Sequence, residues 1–166
     1  MPTEPHGEPP AVSELHGHDA AGEAIAVPVR AGDDPVRLTD RIRALGGRIL
    51  RAVPAGRTPI RPPGTTAEEF ARFNELLAGK VYGCMPLLEG IRDLNRDLRR
   101  GAFRRAVEDV ARSLEAGADL ETAFDPERTR FPSLYGRLLR AGAAAGNLCD
   151  VLLAMSRSVR LEARFR

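Results

Sequence analysis

Two residue pairs in this 166-residue chain have the types and spacing to hold a cation. Glu89 and Asp93 stand four apart, which puts two carboxylates on one helix face as oxygen ligands for a hard metal ion. His16 and His18 flank a glycine and offer two imidazoles to a transition metal. Neither pair is predicted to bind. Glu89 and Asp93 alternate with Arg92 and Arg96, so a solvated, mutually compensated helix face accounts for them. His16 and His18 lie in the Pro-rich N-terminal region with no further ligands to preorganise a site. Glu108 with Asp109, and Asp119 with Glu121, read as helix-surface and first-turn charge. Cys84 and Cys149 are far apart with no CxxC spacing, and are expected to be small core hydrophobes in a reducing compartment.

Catalysis has still less to work with. The three histidines all precede residue 19, so residues 66–166 lack the commonest general base and the commonest transition-metal ligand. No catalytic residue, cofactor or metal is assigned, and the chain is expected not to be an enzyme. Lysine and arginine total 25 against 23 acids, with Lys80 the single lysine, and this near-balance offers no nucleic-acid footprint. No apolar run approaches the roughly 18 residues of a membrane span. The opening MPTEPHGEPP has neither the basic start nor the apolar stretch of a secretory signal.

Ten of the 13 prolines fall in residues 1–65, which predicts a disordered or weakly ordered N-terminal region ending in a Pro-rich linker, with residues 1–24 disordered. Within it, residues 24–29 have the make-up of a short strand. Leu38, Ile42, Leu45 and Ile49 have helical spacing over residues 37–50, although Gly46-Gly47 weakens or ends that helix.

From Thr66 onward every segment reads as helix. Thr66 and Glu69 have capping-box spacing, and Phe70, Phe73, Leu77 and Val81 follow as a buried stripe. Gly83 ends this helix and Pro86 suits the first position of the next, which buries Leu87, Ile91, Leu94 and Leu98. A third helix carries Phe103, Val107, Val110 and Leu114, and Gly117 closes it in a left-handed conformation. Asp119 caps a short turn from Leu120 to Phe124. After a loop over residues 125–130, Pro132 opens a fifth helix following Phe131, and a sixth starts near Asn147. The expected fold of residues 66–166 is therefore an all-α, antiparallel six-helix bundle. Tyr135 and the phenylalanines are expected in its core. Gly142 and Gly146 form a small-xxx-small pair, and the nearby Arg137, Arg140 and Asp150 point to a close helix crossing or turn outside a membrane, or to a homodimer contact. Arg92, Arg96, Arg99, Arg100, Arg104 and Arg105 form a charged strip that is a candidate partner face, the alternative being a solvated surface.

The order of these marks says more than any one of them. Gly83 and Pro86, Gly117 and Leu120, Phe131-Pro132, then Gly142 and Gly146 with Leu148 follow one another as in the cytoplasmic domain of the type II secretion system F protein family, which this chain resembles over about residues 68–165. That family also includes the inner-membrane platform proteins of type IV pilus machines. Where its members typically carry a glutamate directly after Ala-Gly, this chain has Ala143.

The resemblance implies a non-catalytic scaffold at the cytoplasmic face of the bacterial inner membrane. It would couple an assembly ATPase and other platform components to the insertion of pseudopilin or pilin, and its membrane helices would be absent from this chain. Arg157, Arg160, Arg164 and Arg166, against one acid, Glu162, fit the basic flank of such a helix. A soluble helical adaptor with no membrane role is the alternative.

Overall fold

The computed structural model describes residues 12–19, 21–30, 33–45, 48–53, 61–132 and 134–164. Among them the first element is a strand, β1 (Val12–His18), where the sequence predicts disorder. The physical reason is a period of two: Leu15 and Gly17 are buried, while Glu14, His16 and His18 share the opposite face. β2 (Ala24–Arg30) pairs antiparallel with β1, as the strand expected at residues 24–29, and buries Val29. Its Pro28 cannot donate a ladder hydrogen bond, which suits the edge position of β2, and Arg41 Nη1 donates to the Pro28 carbonyl at 2.7 Å.

α1 (Pro35–Ala44) starts where the Asp34 side chain accepts the Val36 N–H, and it buries Leu38 and Ile42, with Leu45 following at the cap. Ile49, predicted on the same stripe, instead lies in β3 (Arg48–Val53), because the helix stops ahead of the two glycines. β3 pairs antiparallel with the other side of β1, giving the order β2-β1-β3. Residues 1–11, part of the expected disordered tail, and Gly46-Gly47 lie outside the described residues.

α2 (Ala67–Tyr82) begins with Thr66 Oγ1 accepting the Glu69 N–H at 3.1 Å. Only half the capping box forms, because the Glu69 carboxylate accepts from Thr65 Oγ1 at 2.7 Å. α3 (Leu87–Asp97) has Pro86 at its cap, one residue earlier than expected. α4 (Ala102–Glu115) ends in a Schellman motif: Gly117, at φ +90°, donates to Leu114, and Ala118 donates to Ser113. Asp119 then accepts from the Thr122 N–H to cap α5 (Leu120–Ala123). The loop expected at 125–130 contains another short helix, α6 (Pro126–Thr129), opened by the Asp125 side chain. Pro132 sits in the turn before the next helix and accepts the Tyr135 N–H, so α7 runs Tyr135–Ala145 instead of starting at Pro132. α8 is Leu148–Arg164.

Among the described residues seven helical segments thus follow Thr66 where six are predicted, and the sheet makes the fold mostly helical instead of all-α. α2 and α8 lie antiparallel: Cys149 reaches the Ala78 carbonyl, Ser156 reaches Glu75, and Arg160 reaches Glu68. Around Phe70 gather Phe73, Phe103, Phe131 and Tyr135, with ring centroids 5.6 to 6.5 Å from it, and Phe124 packs on Phe131 and Tyr135. The N-terminal elements share this core, since Leu15, Val29, Leu38, Ile42 and Leu45 join the same buried cluster. β3 lies against α8 and α1 against α7, and Asn147 Nδ2 donates to the Ile42 carbonyl at 3.3 Å.

Candidate functional site

The structure occupies one of the two candidate cation pairs with the protein's own charges. Asp93 is ion-paired to Lys80 of α2 and lies 3.7 Å from Arg96, and the hydrogen bond from Lys80 holds its carboxyl below the usual range. Glu89 is exposed. His16 and His18 fall on the outer face of β1, where His16 Nε2 is 2.9 Å from the Glu14 carboxylate. No group of three or more histidine, cysteine or acidic side chains is gathered for a metal among the described residues.

The cysteines differ from their expected core role. Cys84 is exposed because it takes the left-handed position after α2, at φ +63°, with its N–H on Val81 and that of Met85 on Lys80. Gly83, expected to end the helix, caps it with an ordinary negative φ. Cys149 is half-buried, and burial pushes its thiol up from the usual range. At pH 8, therefore, one thiol of the native protein should react rapidly with an aromatic disulfide reagent and the second only on unfolding. Slow reaction of both would contradict the exposure of Cys84.

Two arrangements that sequence reasoning missed hold the bundle together. Tyr135 and Asn74 are fully buried; the phenol donates to Asn74 Oδ1 at 2.8 Å, and Asn74 Nδ2 donates to the Phe70 carbonyl at 2.8 Å. Burial pushes the Tyr135 phenol far up, so it serves as a hydrogen-bond donor and not as an acid. The available signal was Asn74 itself, a polar residue set between Phe73 and Leu77 in an apolar stripe. The other is Gly136, where an added methyl would meet the Leu120 carbonyl and Phe124 Cβ at 3.0 Å, so α7 crosses α5 at backbone distance.

The expected small-residue crossing is present, but its two glycines do different work. A methyl on Gly142 would lie 2.8 Å from Val151 Cγ2 and 3.4 Å from Leu148 Cα, so α7 and α8 touch there. Gly146, at φ +76°, meets nothing and supplies the left-handed turn, with Asn147 N–H on Gly142 and its own N–H on Ala143. Ala143 is exposed. Phe131 is buried in the ring cluster, Pro132 sets the turn into α7, and Leu120 and Leu148 open α5 and α8 half-buried.

The arginines divide by partner. Arg160, predicted in a membrane-flanking basic cluster, is bound to α2: it donates to Glu68 at 2.9 Å and to Glu75, which also accepts from Ser156 at 2.7 Å. The hydrogen bonds from Arg160 hold both carboxyls below their ordinary value of 4.5. A depressed folded-state value means that this stabilisation is complete above that pH and lost as pH falls through the lower folded value. From pH 7 to pH 3 the urea midpoint should accordingly fall further for the wild type than for Arg160→Met, and equal falls would show that the network contributes no stability.

In the predicted strip, Arg92 donates to Glu115 at 2.6 Å, Arg96 is within reach of Asp93, and Arg104 donates to the Leu98 carbonyl. Arg99, Arg100 and Arg105 are exposed and make no ion pair among the described residues. The strip is thus partly self-compensated, with its open charges at the α3–α4 turn.

No helix among the described residues is long and apolar enough to cross a membrane. No curated protein matches the chain. The model of the family described as type II secretion system (T2SS), protein F, matches residues 73–166, from the first aromatic turns of α2 through α8. That span takes in the α2–α3 turn, the Gly117 cap, the Phe131 ring cluster and the Gly142 crossing. With more than half its length so matched, and with the glycine, proline and aromatic marks placed at its helix ends and crossings, the chain belongs to the type II secretion system protein F family.

Proposed function

We propose that this chain is a non-catalytic scaffold domain of an inner-membrane platform protein. It would serve type II secretion or type IV pilus assembly at the cytoplasmic face, coupling the assembly ATPase to pseudopilin or pilin insertion. Residues 66–166 would form the scaffold domain, with the N-terminal sheet and α1 packed into its core. The family match over residues 73–166 carries this reading. The packing suits a part that passes on displacement: α2 and α8 are joined along their length by contacts at Ala78, Glu75 and Glu68, so load applied at one helix reaches the other without repacking. Of the arginine strip, Arg99, Arg100 and Arg105 are the members left to meet an anionic partner.

The test is co-purification. Tagged protein expressed from its own gene, cross-linked in cells and extracted from membranes, should bring down the assembly ATPase of the same machine. Recovery of the tagged protein without that ATPase or any platform component would contradict the reading.

A further inference from the structure

Three elements far apart in sequence converge at one end of the helical bundle. Glu68 in the first turn of α2 meets Arg160 near the end of α8, Asp97 to Arg99 line a groove with Glu69, Arg72 and Phe73, and a methyl on Gly64 would lie 3.0 Å from Ala102 Cβ at the start of α4. This end therefore collects the first turns of α2, the α3–α4 turn and the last turn of α8. Exposed on it are Arg72, Arg99, Arg100, Arg105 and Arg164, none of which makes an ion pair among the described residues. Elsewhere Arg92, Arg112, Arg137 and Arg140 each have a carboxylate within 3.3 Å, and the exposed arginines with no ion pair among the described residues are fewer and dispersed: Arg37 on α1, and Arg128 and Arg130 at α6. Of the acids at this end, Glu68 and Glu75 are held by Arg160 and Glu69 accepts from Thr65, while Asp97 lines the groove beside Arg72 and Arg99.

We propose that this end of the bundle binds the anionic headgroups of a phospholipid bilayer through Arg72, Arg99, Arg100, Arg105 and Arg164. A guanidinium presents a planar fork that matches phosphate oxygens, and arginines spread over three elements address many headgroups at once. An acidic protein is the weaker match because protein contacts are anchored by aromatic side chains, whereas the groove beside Arg72 and Arg99 offers one exposed large apolar residue, Leu76, and its aromatic Phe73 is buried in the core. The choice of a bilayer deepens the platform reading and rests on it.

Each basic residue near an anionic surface contributes about 1 kcal/mol, or roughly fivefold in partitioning. Removing three should then cost on the order of 100-fold. The experiment is flotation of the full chain with vesicles of phosphatidylglycerol and phosphatidylcholine, against vesicles of phosphatidylcholine alone. The wild type should float only with the anionic vesicles and release as salt is raised. Arg99→Gln/Arg100→Gln/Arg105→Gln should lose flotation while keeping the wild-type circular dichroism and melting point, and the flank control Arg112→Gln/Arg128→Gln should float as the wild type does. Equal flotation with both vesicle types, or equal flotation of the triple variant and wild type, overturns the proposal. So does finding that these arginines bind the assembly ATPase while the chain ignores vesicles, a result that leaves the platform reading standing. Failure of that reading would show instead in the co-purification.

Discussion

Phe70→Ala should cost about 4 kcal/mol of folding stability, the middle of the range for an aromatic core truncation. Phe70 is fully buried and touches four other rings, in stacked, tilted and edge-on arrangements, so its removal opens a cavity that no single neighbour can fill. Those rings come from α2, α4, α7 and the segment before α7, so relaxation into the hole would have to move helices as well as side chains. In a chain of this size each kcal/mol lowers the melting point by about 2–4 °C, so a fall of roughly 10 °C is expected in calorimetry. A shift within about 2 °C, equivalent to less than 1 kcal/mol, would mean that the ring cluster is not the centre of the fold.

Gly142→Val is the second large effect, with an expected loss of about 2–3 kcal/mol from overpacking. The first added carbon already lies 2.8 Å from Val151 Cγ2 and 3.4 Å from Leu148 Cα, and a branched side chain adds two more carbons to that crossing. The contact sits one turn before the left-handed Gly146, so α7 and α8 cannot spread apart without breaking the Schellman hydrogen bonds. Gly79→Ala is the matching control. Gly79 is an exposed helical glycine whose added methyl would meet nothing, and replacing it should stabilise the protein by about 0.5–1 kcal/mol through helix propensity. If both substitutions moved the urea midpoint in the same direction, close approach at Gly142 would not be what its glycine is for.

The long helices were legible in the sequence because their signals are local. Phe70, Phe73 and Leu77 repeat at helical spacing, Thr66 and Asp119 are short polar caps, and Gly117 has the positive φ its position predicts. What was hidden depends on partners distant along the chain. Asn74 and Tyr135 are 61 residues apart, and neither identifies the other. The sheet escaped because β1 has weak strand formers, Gly17 and two histidines, in a proline-rich context, and becomes a strand by lying between β2 and β3 over a shared core. Ile49 was misplaced because Leu38, Ile42, Leu45 and Ile49 keep helical spacing across two glycines that end the helix.

The candidate surface divides along the same line. Arg99, Arg100 and Arg105 could be read as a run of charge. That Arg72 and Arg164 join them, while Arg92 and Arg160 are consumed by Glu115, Glu68 and Glu75, is a property of how α2, α3, α4 and α8 are arranged.

The proposed scaffold role in a secretion or pilus machine is tested by complementation. In a strain lacking the gene, secreted cargo and surface pilin would be quantified with and without the restored gene carrying wild type or Gly142→Val. The deletion strain should lose one of these products while keeping normal cellular levels of its precursor, and the wild type should restore it where the crossing variant does not. Normal amounts of both products in the deletion strain would contradict that role.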